Sequence, residues 1–292
     1  MKLVSYNIQY GKGQDEVVDI HRIVDEIQDA DIIALQEVER FWPRSGMIDQ
    51  VALISKRLPD HYFVYGPGVD LHNEQSTALE NQRRQFGNMI LSRFPIESSR
   101  HHLLPKRGSI GPLSLQRSAI EANILVEGKR IRFYSVHLTH LSAQTRLPQI
   151  QTLLNIHHRA QHEGHPVNGD LTGFDWEDGV KDQTVSPHAI IMGDFNCQPD
   201  SEEYTAMVGP ISDYGGRITS TDGFIDAWTY VGNSPDSGAT STVDDEPARL
   251  DYCFISPDLR HAIIRCKVDN KAQGSDHFPV WVEIAPENIK EL

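Results

Sequence analysis

Residues 188–196 read HAIIMGDFN, and this stretch decides the fold. Ala189 to Met192 is an uninterrupted apolar run too short for a helix, as expected of a strand buried on both faces. Gly193 then breaks the run, and Asp194 and Asn196 follow at once. A carboxylate at the end of a buried strand is costly unless it is paired or holds a metal.

The same arrangement recurs along the chain. LVSYNI (3–8) carries Asn7, and DIIALQEV (31–38) carries Glu37. YSVHLTH carries His137, RLDY carries Asp251, and GSDHF carries Asp276 and His277. One such residue reads as a satisfied structural group. Six strands that end this way predict a convergent site at one edge of the sheets.

Between these strands the apolar spacing turns helical. Asp15 to Gln28 places Val17, Ile20, Ile23, Val24 and Ile27 on one face, and Asp49 to Leu58 repeats the pattern. A long helix is expected over Leu141 to His162 and a short one over Ser201 to Val208. HYFVYG (61–66), FGNMILSRFPI (86–96), a hairpin over 117–138, and the runs 250–256, 262–269 and 278–284 read as further strands. About ten strands and four helices, mixing hairpins with crossovers, predict a layered α/β sandwich, since both sheet faces must be covered. No linker, repeat or composition shift divides the 292 residues, so one domain over 1–292 is expected. Three long connections stand out: 67–85, 163–187 and 232–249.

With 41 acidic and 27 basic residues the chain carries a formal charge of −14, the wrong sign for a general polyanion-binding surface. It has no apolar run of membrane-spanning length and no apolar leader after Met1. Three cysteines without CxxC spacing read as reduced thiols, and the chain reads as cytoplasmic.

The converging residues offer hard oxygen ligands, which suit magnesium, manganese or calcium and disfavour structural zinc. His157, His158, His162 and His165 read as surface histidines of a polar helix, because their spacing matches no HExxH motif. His277 is the candidate acid or base, with Asp251 to orient it. There is no GxSxG elbow and no phosphate-cradling GxxxxGK[ST] loop.

SYNIQYG, LQEV, FGNMILSRFPI, SVHLTH, MGDFN, RLDYCFIS and SDHFPV, in that order, resemble the motifs of the endonuclease/exonuclease/phosphatase superfamily, the DNase I-like enzymes. The resemblance implies a four-layer α-β-β-α sandwich and metal-dependent hydrolysis of phosphodiesters or phosphomonoesters, usually with magnesium. It implies a metal-binding set of Asn7, Glu37 and Asp276. Asp194 and Asn196 resemble the pair that orients the attacking water and touches the phosphate, and both are candidate metal ligands. His277 resembles the histidine on the phosphate, Asp251 its orienting partner, and His137 the second active-site histidine.

The expected substrate is a small-molecule or lipid-headgroup phosphodiester, with nucleic acid as the alternative and a non-catalytic binding domain as a further one. Acids crowd the loops (Asp170, Asp175, Glu177, Asp178, Asp182, Asp244, Asp245, Glu246), whereas cations near the site are limited to Arg83, Arg84, Lys106, Arg107 and Arg117. Arg117 and Asn88 read equally as phosphate contacts and as structural groups. Phe174 and Trp176 suggest an apolar lid or a stacking surface.

Overall fold

The computed structural model describes residues 1–180, 184–220 and 223–289. Its elements are β1 (Lys2–Asn7), α1 (Ile20–Ile27), β2 (Ile32–Arg40), α2 (Gln50–Arg57), β3 (Tyr62–His72), β4 (Arg83–Ser92), β5 (Ile96–Leu103), β6 (Ser118–Val126), β7 (Lys129–His137), α3 (Ala143–Glu163), β8 (Ala189–Asp194), α4 (Glu202–Val208), β9 (Ile225–Asp226), α5 (Ala227–Tyr230), β10 (Ser241–Val243), β11 (Glu246–Ala248), β12 (Asp251–Ile255), β13 (Ile263–Val268) and β14 (Val280–Ile284).

Two six-stranded sheets carry the structure, ordered β13-β14-β1-β2-β4-β3 and β5-β6-β7-β8-β12-β9. Each has a single parallel pair at its centre, β1–β2 and β7–β8. A parallel pair needs a crossover, and α1 and α3 supply the two crossovers. Alternate residues along each strand serve opposite faces. Leu3, Ile32, Ala34 and Ile90 of the first sheet therefore pack against Ile120, Ala122, Phe133, Ile190 and Met192 of the second. Val4, Tyr6, Ile33 and Leu35 face outward onto Ile23, Val24 and Ile27 of α1 and Ile54 of α2. Tyr134, Val136, Ile191 and Phe254 meet Ile150 and Leu153 of α3 and Tyr204 and Met207 of α4. This is the expected α-β-β-α sandwich.

The differences from expectation have local causes. The first helix begins at Ile20, not near Asp15, because Asp19 caps it by accepting from the His21 and Arg22 amides. Residues 67–85 are only partly a loop: 67–72 and 83–85 extend the strands, and 73–82 connect them. β3 and β4 run on as a ribbon to His72↔Arg83, tied by an Arg83–Asp70 ion pair, and a solvated two-stranded ribbon carries no alternating apolar signal. Residues 232–249 contain the hairpin β10–β11, closed by Asp244 and Asp245 at φ 51° and 65°, the double positive φ of a two-residue type I′ turn. β5 is half solvated, with burial alternating along it, and its many polar residues hid it. Among the described residues of the 163–187 connection, the regular structure past the end of α3 is one 3-10 turn at Asp175–Glu177, and Asp182 lies outside the described residues. All three cysteines are buried and unbonded to one another. No helix among the described residues is long and apolar enough to cross a membrane.

Gly193 sits at φ 151° in β8, paired between Val136 of β7 and Tyr252 of β12, and a Cβ there would lie 1.9 Å from the Val136 carbonyl oxygen. Gly193→Ala is expected to destabilise the protein by about 2 kcal/mol or more, read from chemical denaturation, because backbone rather than a side chain must yield. An unchanged midpoint would show that β7 and β8 separate freely.

Candidate active site

The parallel pairs aim their C-terminal ends at one edge of the sandwich. Asn7 ends β1, His137 ends β7 and Asp194 ends β8. Asp251 opens β12, which runs antiparallel to β8, and so arrives at the same edge directly opposite Asp194. Glu37 gets there by a bulge. The β2–β4 register slips between Leu35 and Val38, and Glu37 takes φ 61°, which turns its carboxylate out of the alternation. Asn196 also adopts a left-handed conformation, at φ 51°, just past β8. Such strained positions concentrate at functional sites.

The side chains interlock across the two sheets. The Asn7 Nδ2 amide donates to Asp194 Oδ2 at 3.0 Å and to Glu37 Oε1 at 3.4 Å. Asp194 Oδ1 accepts from the Asn196 backbone amide at 2.8 Å. His137 Nε2 lies 3.3 Å from Asp194 Oδ2, and the Asn196 side chain donates to the Leu138 carbonyl at 3.0 Å. On the other flank His277 Nδ1 donates to Asp251 Oδ2 at 2.7 Å, leaving Nε2 3.9 Å from Asp194 Oδ2. Asp251, Asp194 and His277 form the compact acid–imidazole group of the site, and each is buried.

Burial governs the electrostatics. It raises the Asp194 carboxyl above the ordinary range, and the facing Asp251 adds to that rise. Glu37 is raised by burial too, against the pull of Arg117 and His277. Burial disfavours the His277 imidazolium, but the Asp251 carboxylate overrides it and holds the ring at about 10. His137 is driven well below its ordinary value by burial and by Arg117. The two histidines therefore differ in charge: His277 is a cation and His137 is neutral.

Arg117 was the ambiguous residue of the sequence, and it lies buried beneath the site. Its Nη1 meets His137 Nδ1 at 3.0 Å and its Nη2 meets His140 Nδ1 at 3.3 Å. A guanidinium only donates, so both Nδ1 atoms accept and both rings carry their proton on Nε2. Asn88 instead donates to the Ser118 carbonyl at 2.6 Å, a structural bond between the sheets. Arg249 pairs with Asp226, which leaves Asp251 to His277.

Asp276 stands at the mouth of the site, close enough for its charge to act on Glu37 and His277. It is exposed, its Oδ1 lies 3.2 Å from Ser275 Oγ, and it lines the cleft beside His277. The remaining expected residues come together. Sequence reasoning missed three supports. Ser275 Oγ donates to the Asn7 carbonyl at 2.7 Å and receives the His277 amide at 3.2 Å. Thr240 Oγ1 accepts the Leu250 and Asp251 amides. His140 borders the cleft. Ser275 and His140 lie within the motifs SDHFPV and SVHLTH, but Thr240 carries no sequence signal. The α3 histidines lie elsewhere: His157 Nδ1 accepts from Arg132, and its ring packs on Phe224.

A family model described as the Endonuclease/Exonuclease/phosphatase family matches residues 4–277. Among solved structures, an endonuclease/exonuclease/phosphatase family protein from Leptotrichia buccalis C-1013-b is similar at TM-score 0.65 and 21% identity, covering 98% of this chain and 99% of that one. A mannosyl-6-phosphatase from Bacteroides thetaiotaomicron VPI-5482 is similar at TM-score 0.62 and 18% identity, over 98% and 99% of the two chains. A humanized D. rerio TDP2 is similar at TM-score 0.56 and 16% identity, over 98% of each chain. No curated protein sequence matches the chain significantly.

Asp251→Asn is expected to lower the His277 pKa in the metal-free protein, followed by NMR titration of the ring. A raised folded value stabilises the fold below the ordinary pKa of about 6.5 and is lost as pH rises toward 10. The stability gap between wild type and variant should therefore narrow over that window. A wild-type His277 that titrates near its ordinary value would contradict the ion pair.

Proposed function

Because the chain belongs to the endonuclease/exonuclease/phosphatase family, we propose that it is a hydrolase that cleaves phosphoester bonds with a divalent metal ion, and that its substrate is a small-molecule or lipid-headgroup phosphodiester. The observation that carries this reading is the apposition of buried Asp194 to the His277–Asp251 pair on one side and to Glu37 and Asn7 on the other.

The residues suit a hard cation. Glu37 and Asp194 are anionic oxygen donors whose raised pKa values reflect uncompensated buried charge. Among the described residues, the buried Asp251 Oδ1 atom has no hydrogen-bond partner. The Asn7 amide nitrogen now supplies the positive end of a dipole between Glu37 and Asp194, while its Oδ1 receives the Gln9 amide at 3.1 Å. Glu37 and Asp194 would hold the ion, with Asn7, Asn196 and Asp276 as further oxygen donors. Magnesium is the proposed ion, with manganese and calcium as substitutes. When bound, the ion polarises a phosphoryl oxygen and lowers the pKa of water.

The chain's own groups supply the rest. Asp194 accepts the proton of the attacking water, whose oxygen forms the new bond to phosphorus as the bond to the alcohol oxygen breaks. His277, held protonated by Asp251, donates from Nε2 to that departing oxygen. His137 and the Asn196 amide present neutral donors to the phosphoryl oxygens. Preorganised donors of this kind are the main protein contribution to phosphoryl transfer.

The acidic loops support a small substrate over duplex nucleic acid, as does the pairing of Arg83 with Asp70. The name of the Bacteroides neighbour supports a second reading, a phosphomonoester substrate. The buried thiols are in keeping with a reducing, cytoplasmic setting, and the shared inter-sheet core with a single domain.

With magnesium, the protein is expected to hydrolyse bis(4-nitrophenyl) phosphate and to leave plasmid DNA intact. His277→Ala and Asp194→Ala should each lower kcat by about 10²–10⁴-fold. Rapid plasmid nicking would overturn the substrate class, and full activity in both variants would overturn the site.

A further inference from the structure

The cleft bordered by Asn196, Asp276 and His277 encloses about 660 Å³ in all and continues past these groups into a recess, so that the whole is large enough for a phosphate and a small organic group. Its walls are formed where the start of α3, the turn after β8 and β10 meet, with His140, Arg146, Gln198, Asp200 and Thr242 among the polar groups. Its apolar contribution is confined to Leu141, Val243 and Leu250, apart from the buried thiol Cys197. No Phe, Tyr or Trp lines it among the described residues.

These walls exclude two common occupants. A nucleobase is held by stacking on a broad aromatic face, and among the described residues the only rings at the recess are the imidazoles of His140, tied to Arg117, and His277, tied to Asp251. An acyl chain needs a continuous apolar wall, and the recess alternates polar with apolar groups. The charge balance excludes a second anion. Arg146 Nε is committed to Glu203 Oε1 at 2.7 Å, and Glu203 is buried. His140 is held neutral by the Arg117 guanidinium on its Nδ1, and Asp200 adds an exposed acid.

What remains is hydrogen-bonding capacity of both senses at one opening. His140 offers an Nε2–H donor. The Gln198 amide offers donor and acceptor, the Asp200 carboxylate accepts, and the Thr242 hydroxyl does either. Gln198, Asp200 and Thr242 are exposed, and their side chains make no hydrogen bond among the described residues. We propose that this recess is an alcohol subsite for an uncharged, polyhydroxylated group, such as a glycerol, sugar or cyclitol moiety, esterified to the phosphate at His277. The proposal rests on the reading of the adjoining site as a phosphoesterase and specifies which ester it takes.

The test separates the two ideas by measuring binding without turnover. In the His277→Ala protein with magnesium, glycerol 3-phosphate and phenyl phosphate are titrated calorimetrically. They share the phosphate and differ in the alcohol. Glycerol 3-phosphate is expected to bind more tightly, and Gln198→Ala and Thr242→Val should each weaken it by about 3–10-fold while leaving phenyl phosphate unchanged, as the loss of one hydrogen bond requires. Equal or tighter binding of phenyl phosphate, or equal weakening of both ligands in the variants, would overturn the subsite. Absence of binding by either ligand would overturn it too. In the protein that retains His277, a lack of hydrolysis of any phosphoester would count against the phosphoesterase reading alone.

Discussion

Two buried carboxylates face each other across a strand pair. Asp194 and Asp251 are register partners in β8 and β12, and like charges so placed repel. They are tolerable only because donors converge on them from the rest of the molecule. Asn7 comes from the first sheet, His277 from the turn before β14, His137 from β7, and the Asn196 amide from the chain just past β8. The interaction therefore ties the two sheets together at one edge. A buried acid in search of positive charge is also the natural place for a cation and a phosphate to meet.

The fold builds this edge from simple rules. Each sheet has one parallel pair, so strand ends of both sheets point the same way, and the chain emerges there repeatedly. The bulge at Glu37 and the left-handed Asn196 then re-aim side chains that regular strands would send into the core. Beneath them, Gln36 donates to Ser135 Oγ at 3.0 Å and Ser135 to the Leu35 carbonyl at 3.0 Å, a buried polar seam between the sheets. Behind the site, Arg117 fixes two imidazoles at once. A single cation thus keeps His137 neutral while Asp251 keeps His277 charged, so two chemically identical side chains are given different tasks by their partners.

Much of this was legible in the residues. Apolar runs such as AIIM before Gly193 marked the central strands, because burial on both faces leaves no polar alternation to confuse the reading. The acids and imidazoles that end those runs marked the site. Less visible were features whose signal is geometric. The β3–β4 ribbon and β5 are polar and half solvated, so their pairing is written in register rather than in hydropathy. Thr240 supports Asp251 through its hydroxyl from a flexible-looking segment that nothing in the sequence distinguishes. The pairing of Arg249 with Asp226 rather than with nearby Asp251 depends on a contact made across the fold. Asp276 lies next to His277 in sequence yet remains exposed, since adjacent residues of an extended turn point in different directions.

In the proposed enzyme, Glu37 and Asp194 hold the divalent ion on which phosphoester hydrolysis depends. The direct measurement is isothermal titration of the chelator-treated protein with magnesium, paired with hydrolysis of bis(4-nitrophenyl) phosphate along the same titration, in wild type and Glu37→Gln. Binding and activity should rise together in wild type, and Glu37→Gln should shift both to higher magnesium by about tenfold or more. Activity that persists undiminished in chelator, or magnesium binding unchanged by Glu37→Gln, would contradict this assignment.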